Sequence, residues 1–131
     1  MHTLLIAAGD ARHGDEAVAR RVLELIDPKP DVNKQDVSQL SDGLARDIAG
    51  AQTVMFIDPA HELGEPWLEP AGADSRTGSI VNLARALYRF QGEAFVCYVP
   101  GLDFSEGAEL SPYAEQRARQ AADLIRRFLA G

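Results

Sequence analysis

The sequence predicts a three-layer α/β/α sandwich with a mostly parallel central sheet and one small hairpin or antiparallel edge strand. The chain has 131 residues, which suits one domain with one core, so a single domain over residues 1–131 is expected. Hydrophobic residues make up 46% of the chain and charged residues 25%, the balance of an ordinary globular protein. Short apolar runs alternate with amphipathic stretches nearly throughout, which is typical of a parallel sheet covered by helices on both faces.

The strands are predicted from short apolar runs bounded by glycine, proline or aspartate. Three buried strands are expected, at residues 3–8, 54–57 and 94–99. Residues 32–37 alternate weakly and predict an edge strand. The Gly- and Pro-rich segment 61–73 has room for one short strand around Trp67. Asp58 and Pro59 are expected to stop the strand that precedes them.

Four helices are predicted from apolar residues at three- and four-residue spacing. Their apolar stripes are Val18, Val22, Leu25 and Ile26; Leu40, Leu44 and Ile48; Ile80, Leu83, Ala84 and Leu87; and Ala114, Ala118, Ala121, Ile125 and Phe128. Pro28 should end the first helix and Gly92 the third. Ser111 is a good N-cap for the last helix, with Pro112 at its first position.

Charge and composition exclude several classes of function. The net charge of −7 and the lack of a basic stripe disfavour binding to nucleic acid and to anionic membranes. No apolar stretch approaches the length of a membrane span, and the first apolar run is too short for a signal peptide. The single cysteine, Cys97, allows no internal disulfide and no CxxC site, which fits a reducing cytosol. A cytoplasmic protein is expected.

The loop after the first strand, residues 9–16, reads GDARHGDE and is not a phosphate-binding loop. A Walker loop needs Lys-Ser/Thr where this chain has Asp15 and Glu16, and the three glycines of a dinucleotide fingerprint are missing. Two carboxylates at a helix N-terminus would also repel a phosphate. By spacing alone, Asp15 and Glu16 compensate the helix dipole in the first turn.

Other candidate groups are expected at the carboxyl edge of the sheet, where sites in such folds lie. Asp58 either caps a turn or serves as a metal ligand or general base. If its strand neighbours the first strand, Asp58 and Glu16 would face each other and suit a divalent cation. His61 and His13 are loop histidines, which more often face solvent than bind metal. Cys97 sits within an apolar strand, where it is expected to be a buried small hydrophobe and not a nucleophile.

Several segments, taken in order, resemble the hydrogenase maturation endopeptidases. After the first strand, Gly9-Asp10 stands where that family has Gly-Asn, and DEAVA (residues 15–19) stands where it has acid-acid-Gly-Val-Gly. TVMFIDPA is similar to the family's second buried strand with its terminal aspartate, and GEPWLEP to the following Gly-x-Pro hairpin. The run from IVNLARALY to GAELSP is similar to its late helix, strand and turn. The resemblance covers nearly the whole chain.

The resemblance implies a compact three-layer domain that cleaves a C-terminal extension from the nickel-loaded precursor of a hydrogenase large subunit. Nickel would be supplied by the precursor, and Glu16 and Asp58 match the family's glutamate and aspartate ligands. The implied chemistry is metal-assisted hydrolysis, in which the cation polarises the scissile carbonyl or lowers the pKa of a bound water. A small protease that acts on a large partner is expected to be monomeric.

The family's third ligand, a histidine before the late helix, has no counterpart here. Residues 73–77 read Ala-Asp-Ser-Arg-Thr. Three alternatives are open: Asp74 replaces the imidazole, His61 enters from the adjacent loop, or the site is degraded and the protein binds its partner without cutting it. A carboxylate in place of the imidazole would shift the site toward harder cations. A weaker alternative is a flavodoxin-like small-molecule binder, because strand–helix alternation is generic.

Overall fold

Five strands form one sheet in the computed structural model, which describes residues 2–131. The strands are β1 (Thr3–Ala8), β2 (Val32–Val37), β3 (Thr53–Ala60), β4 (Trp67–Pro70) and β5 (Glu93–Pro100). Their order across the sheet is β2-β1-β3-β5-β4. All neighbouring strands are parallel except β4, which pairs antiparallel with β5 at one edge. The predicted mostly parallel sheet with an antiparallel edge strand is confirmed.

The helices form the two outer layers. They are α1 (Val18–Leu25), α2 (Leu44–Ile48), α3 (Arg76–Tyr88) and α4 (Pro112–Ala130), and a 3₁₀ turn, Gly14–Ala17, precedes α1. Alternate residues of β1 point to opposite faces. Leu5 packs in the core under α1 and α4, whereas Ile6 packs in the core under α2 and α3. Within residues 2–131 no helix combines the length and the apolarity that crossing a bilayer requires.

The third strand runs further than the sequence predicts. Asp58 and Pro59 do not stop it, because β3 stays paired with β5 through Ala60. Its pairing with β1 ends at Ile57, so its last three residues have a neighbouring strand on one side only. Proline is tolerated in strands at such edge-like positions. Asp58 therefore lies inside β3, near its carboxyl end, and the prediction that it ends the strand is wrong.

The helix ends agree with the sequence in part. The Ser111 hydroxyl accepts a hydrogen bond from the backbone N–H of Ala114 at 3.1 Å, so the predicted N-cap of α4 is confirmed. The third helix ends at Tyr88 and not at Gly92, because Arg89 adopts a left-handed conformation with a φ of 59° and turns the chain out of the helix. Leu87, which the spacing predicts on the apolar stripe, is 63% exposed.

Candidate functional site

Three loops meet at the carboxyl edge of the sheet, where the sequence places the candidate groups. They are the β1 loop (residues 9–17), the β3 loop (residues 61–66) and the β5 loop (residues 101–111). Since β3 lies between β1 and β5 and is parallel to both, the three loops begin side by side. The backbone N–H of Gly101 donates to the carbonyl of Ala60 at 3.0 Å, which joins the starts of the β3 and β5 loops.

The closest contact among the predicted site residues joins Glu16 and His61. The Nε2 atom of His61 lies 2.8 Å from Oε2 of Glu16. The glutamate side chain is 25% exposed and the imidazole 62% exposed, so both are open to a ligand from solvent. His61 is therefore not the isolated solvent-facing histidine that its loop position suggests.

Gly9 explains how the β1 loop brings Glu16 so close to the end of β3. Its φ is +150°, a conformation that favours glycine. A Cβ atom at this position would lie 2.2 Å from the backbone oxygen of Glu16 and 3.2 Å from Cγ of Pro59. The 3₁₀ turn can thus pack against the chain beside Asp58 only because residue 9 has no side chain.

Asp58 has a carboxyl group whose pKa is strongly raised. Burial raises its pKa, the nearby negative charge of Glu16 raises it further, and His61 partly offsets both, which gives a pKa of about 6. The effect of the Glu16 charge on Asp58 is consistent with the closeness of the two residues that neighbouring strands predict. A carboxyl group with such a pKa can take up and release a proton near neutral pH, as a general acid or base must.

Asp15, the residue beside Glu16, has a structural role that its sequence position does not reveal. Its carboxylate is buried and accepts hydrogen bonds from the backbone N–H groups of Leu102, Asp103 and Ser111 at 2.7 to 2.9 Å. The Ser111 hydroxyl donates a fourth, at 2.7 Å. Burial by itself would raise the pKa of Asp15, but these hydrogen bonds outweigh burial and lower it. Asp15 therefore anchors both ends of the β5 loop and does more than compensate a helix dipole.

Phe104, in the β5 loop, was not among the residues singled out from the sequence. Its ring stacks on the imidazole of His61, with the centroids 3.7 Å apart and the planes 9° from parallel. A lone phenylalanine in a polar loop carries no sequence signal for such a contact. The stack becomes visible only when the β3 and β5 loops are placed together.

Two other sequence candidates take no part in this cluster. Asp74 lies in the exposed turn before α3, and its side chain forms no hydrogen bond or ion pair with any residue from 2 to 131. His13 lies 3.8 Å from the carboxylate of Asp10, which is hydrogen-bonded to Arg12. The structure thus brings together Glu16, Asp58 and His61.

The cluster contains ligand types suited to a divalent cation, namely two carboxylates and an imidazole. Glu16 and His61 are hydrogen-bonded to each other, so a cation bound by both would have to replace that contact. In the described part of the chain, no group of three or more His, Cys, Asp and Glu side chains is arranged as a metal site. Cys97 is fully buried in β5, and burial raises the pKa of its thiol to about 12, so it is not an activated nucleophile.

The sequence matches no protein-family model and no curated protein. Solved structures, in contrast, are similar over nearly the whole chain. The [NiFe] hydrogenase maturation protease HycI from Thermococcus kodakarensis has a TM-score of 0.78 at 19% identity, over 99% of this chain and 93% of its own. The hydrogenase maturating endopeptidase HybD from E. coli has a TM-score of 0.78 at 14% identity, with the same coverage of both chains. A hydrogenase 2 maturation peptidase from a Thaumarchaeota archaeon has a TM-score of 0.73 at 18% identity, over 99% of each chain. This chain therefore has the fold of the hydrogenase maturation proteases.

Proposed function

We propose that this protein is an endopeptidase that removes a C-terminal extension from the nickel-loaded precursor of a hydrogenase large subunit. The observation that carries the proposal is the grouping of Glu16, Asp58 and His61 at the carboxyl edge of a sheet with the fold of hydrogenase maturation proteases. Glu16 and Asp58 are also the positions that match the family's acidic ligands in the sequence resemblance.

We further propose that His61 supplies the imidazole for which residues 73–77 offer no histidine. Its hydrogen bond with Glu16 at 2.8 Å supports this assignment, whereas Asp74 is exposed and forms no hydrogen bond with either acid. An imidazole at this position keeps the ligand set suited to nickel, which a third carboxylate would not. The alternative of a non-cleaving binding module depended on the missing histidine, and it is disfavoured by the position of His61.

In this proposal nickel belongs to the substrate and arrives in the precursor with ligands of its own. When bound, it supplies Lewis acidity toward the scissile carbonyl or a water molecule. Glu16 and His61, which are hydrogen-bonded to each other, would bind and orient the metal-bearing end of the precursor. Asp58, half-buried and with a pKa of about 6 in the metal-free protein, would hold or move a proton beside it. We propose that the protein acts as a monomer in the cytoplasm, where a reduced, buried Cys97 fits the compartment.

The test is to incubate the purified protein with nickel-loaded and nickel-free large-subunit precursor from the same cell and to weigh each precursor by intact mass spectrometry. The proposal predicts the loss of one C-terminal peptide from the nickel-loaded form and no change in the nickel-free form. An unchanged mass of nickel-loaded precursor that another maturation protease can process would contradict it.

A further inference from the structure

We infer that Phe104 is a positioning residue that fixes the plane of the His61 imidazole, and that Asp15 holds Phe104 in place. The inference rests on the proposed function in so far as His61 is assigned to the processing site. Its structural basis is the nearly parallel stack of the two rings, 3.7 Å apart, on the side chain whose Nε2 meets Glu16.

The imidazole needs such support because little else restrains it. The His61 side chain is 62% exposed, and its one hydrogen bond within residues 2–131 is to Glu16, a bond that a ligand would replace. A side chain in that situation retains rotameric freedom that must be lost when it binds a ligand. A flat ring against one face of the imidazole removes part of that freedom in advance and leaves Nε2 directed at the site.

Phe104 can do this because its loop is anchored next to the site. The backbone N–H groups of Leu102 and Asp103, just before Phe104, donate to Oδ2 of the buried Asp15 at 2.7 and 2.9 Å. Gly101 packs so closely that a Cβ atom there would lie 2.7 Å from both Cβ of Asp15 and Cζ of Phe104. The consecutive residues Asp15 and Glu16 thus act on one imidazole from two sides, Glu16 by direct contact and Asp15 through the β5 loop.

The backbone that carries His61 is fastened independently of Phe104. The Tyr113 hydroxyl accepts a hydrogen bond from the N–H of Gly64 at 2.8 Å and lies 3.1 Å from the Gly64 carbonyl, which ties the β3 loop to α4. Removing the Phe104 ring should therefore free the imidazole without releasing the loop. The orientation of the His61 imidazole can therefore be measured while the β3 loop stays in place.

The test compares Phe104→Leu, Phe104→Tyr and the wild type by two readouts. NMR of the metal-free protein, with the His61 signals assigned through His61→Gln, reports the upfield shift that a stacked aromatic ring imposes on the imidazole protons. Processing of nickel-loaded precursor reports kcat and KM. Phe128→Leu is the matched control, because Phe128 is also half-buried but packs edge-on against Phe95.

Phe104→Leu is expected to lose the upfield shift and to lower kcat/KM by about 10- to 100-fold, the range for residues that orient a metal ligand. Phe104→Tyr should keep both properties, and Phe128→Leu should match the wild type in both. A Phe104→Leu protein that keeps the wild-type kcat/KM overturns the inference, as does a folded Phe104→Tyr protein as impaired as Phe104→Leu. If Phe104→Leu does not fold, Phe104→Met takes its place. If wild-type protein leaves the precursor uncut, the proposed function fails; the inference about Phe104 is then overturned if the His61 protons of the wild type show no upfield shift relative to Phe104→Leu.

Discussion

The Nε2 atom of His61 lies 2.8 Å from Oε2 of Glu16, although 45 positions of sequence separate the two residues. The contact arises because β1 and β3 are parallel neighbours, so the segments that follow them leave the sheet at the same edge. A histidine that follows β3 can therefore reach a glutamate that follows β1. The proposed site needs no histidine before α3 if this imidazole serves in its place.

The first prediction distinguishes His61 from Asp74 as the third ligand of the proposed site. His61→Ala should lower the processing rate of nickel-loaded precursor by about 100-fold or more, since loss of a ligand should cost at least as much as loss of a residue that orients one. Asp74→Ala should leave the rate within about twofold, because Asp74 is exposed and forms no hydrogen bond with either acid. Rates come from a mass-spectrometric time course. The reverse pattern would assign the role to Asp74.

The second prediction concerns the loss of folding stability that results when Asp58 is ionised in the folded protein. Its folded-state pKa of about 6 lies above the ordinary aspartate value of 3.8, so the folded state holds the proton more tightly. Stability associated with Asp58 is thus present at low pH and is lost as the pH rises from about 4 to about 6. Asp58→Asn should be more stable than the wild type above pH 6, by about 2 to 3 kcal/mol, and about equally stable near pH 4.

Urea unfolding of the metal-free protein between pH 4 and 8 measures this difference, with the exposed Asp27→Asn as the control. A stability difference between Asp58→Asn and the wild type that is the same at every pH would show that Asp58 ionises without penalty in the folded protein.

The third prediction concerns Asp15, whose effect on stability depends on pH in the opposite direction to that of Asp58. Its hydrogen bonds lower its pKa, so its stabilising contribution is present above the unfolded-state pKa and is lost as the pH falls through the folded-state pKa. Asp15→Asn should destabilise the protein at neutral pH by about 2 to 3 kcal/mol, because buried backbone donors lose a charged acceptor. Amide exchange at Leu102, Asp103 and Ser111 should accelerate. Glu109→Gln, an exposed change in the same loop, should alter neither property; equal effects of the two variants would refute the anchoring role.

The fourth prediction tests the close packing that positions Glu16. Gly9→Ala would place a Cβ atom 2.2 Å from the Glu16 carbonyl oxygen at a φ of +150°, so the 3₁₀ turn must shift. A loss of about 2 kcal/mol or more in unfolding free energy is expected, together with slower processing. Gly50→Ala, where nothing lies within 4 Å of the added atom, should change neither. Wild-type stability and activity of Gly9→Ala would contradict this account of how Glu16 is placed.

The fold is predictable from the sequence because the apolar patterns of its strands and helices lie within short stretches of sequence. Strands β1, β3 and β5 are buried on both faces, so each reads as a continuous apolar run, and the helix stripes follow the 3.6-residue period. The sequence does not predict the end of β3, because it does not show that β3 stays paired with β5 after its pairing with β1 stops at Ile57.

The site is predictable only in part, because some of its contacts join loops that are far apart in the sequence. Glu16 follows β1 and Asp58 lies near the carboxyl end of the neighbouring strand β3, so the topology that predicts the sheet also brings them together. The hydrogen bonds of Asp15 to Leu102, Asp103 and Ser111 span 87 to 96 positions, and no local pattern encodes them. The stack of Phe104 on His61 likewise depends on how two loops meet in space.

The most direct test of the central claim weighs the same nickel-loaded precursor after incubation with the wild type and with the double variant Glu16→Gln, Asp58→Asn. We predict that the wild type releases one C-terminal peptide and that the double variant, shown to be folded, releases none. Processing at the wild-type rate by the double variant would contradict the assignment of the site to these two carboxylates.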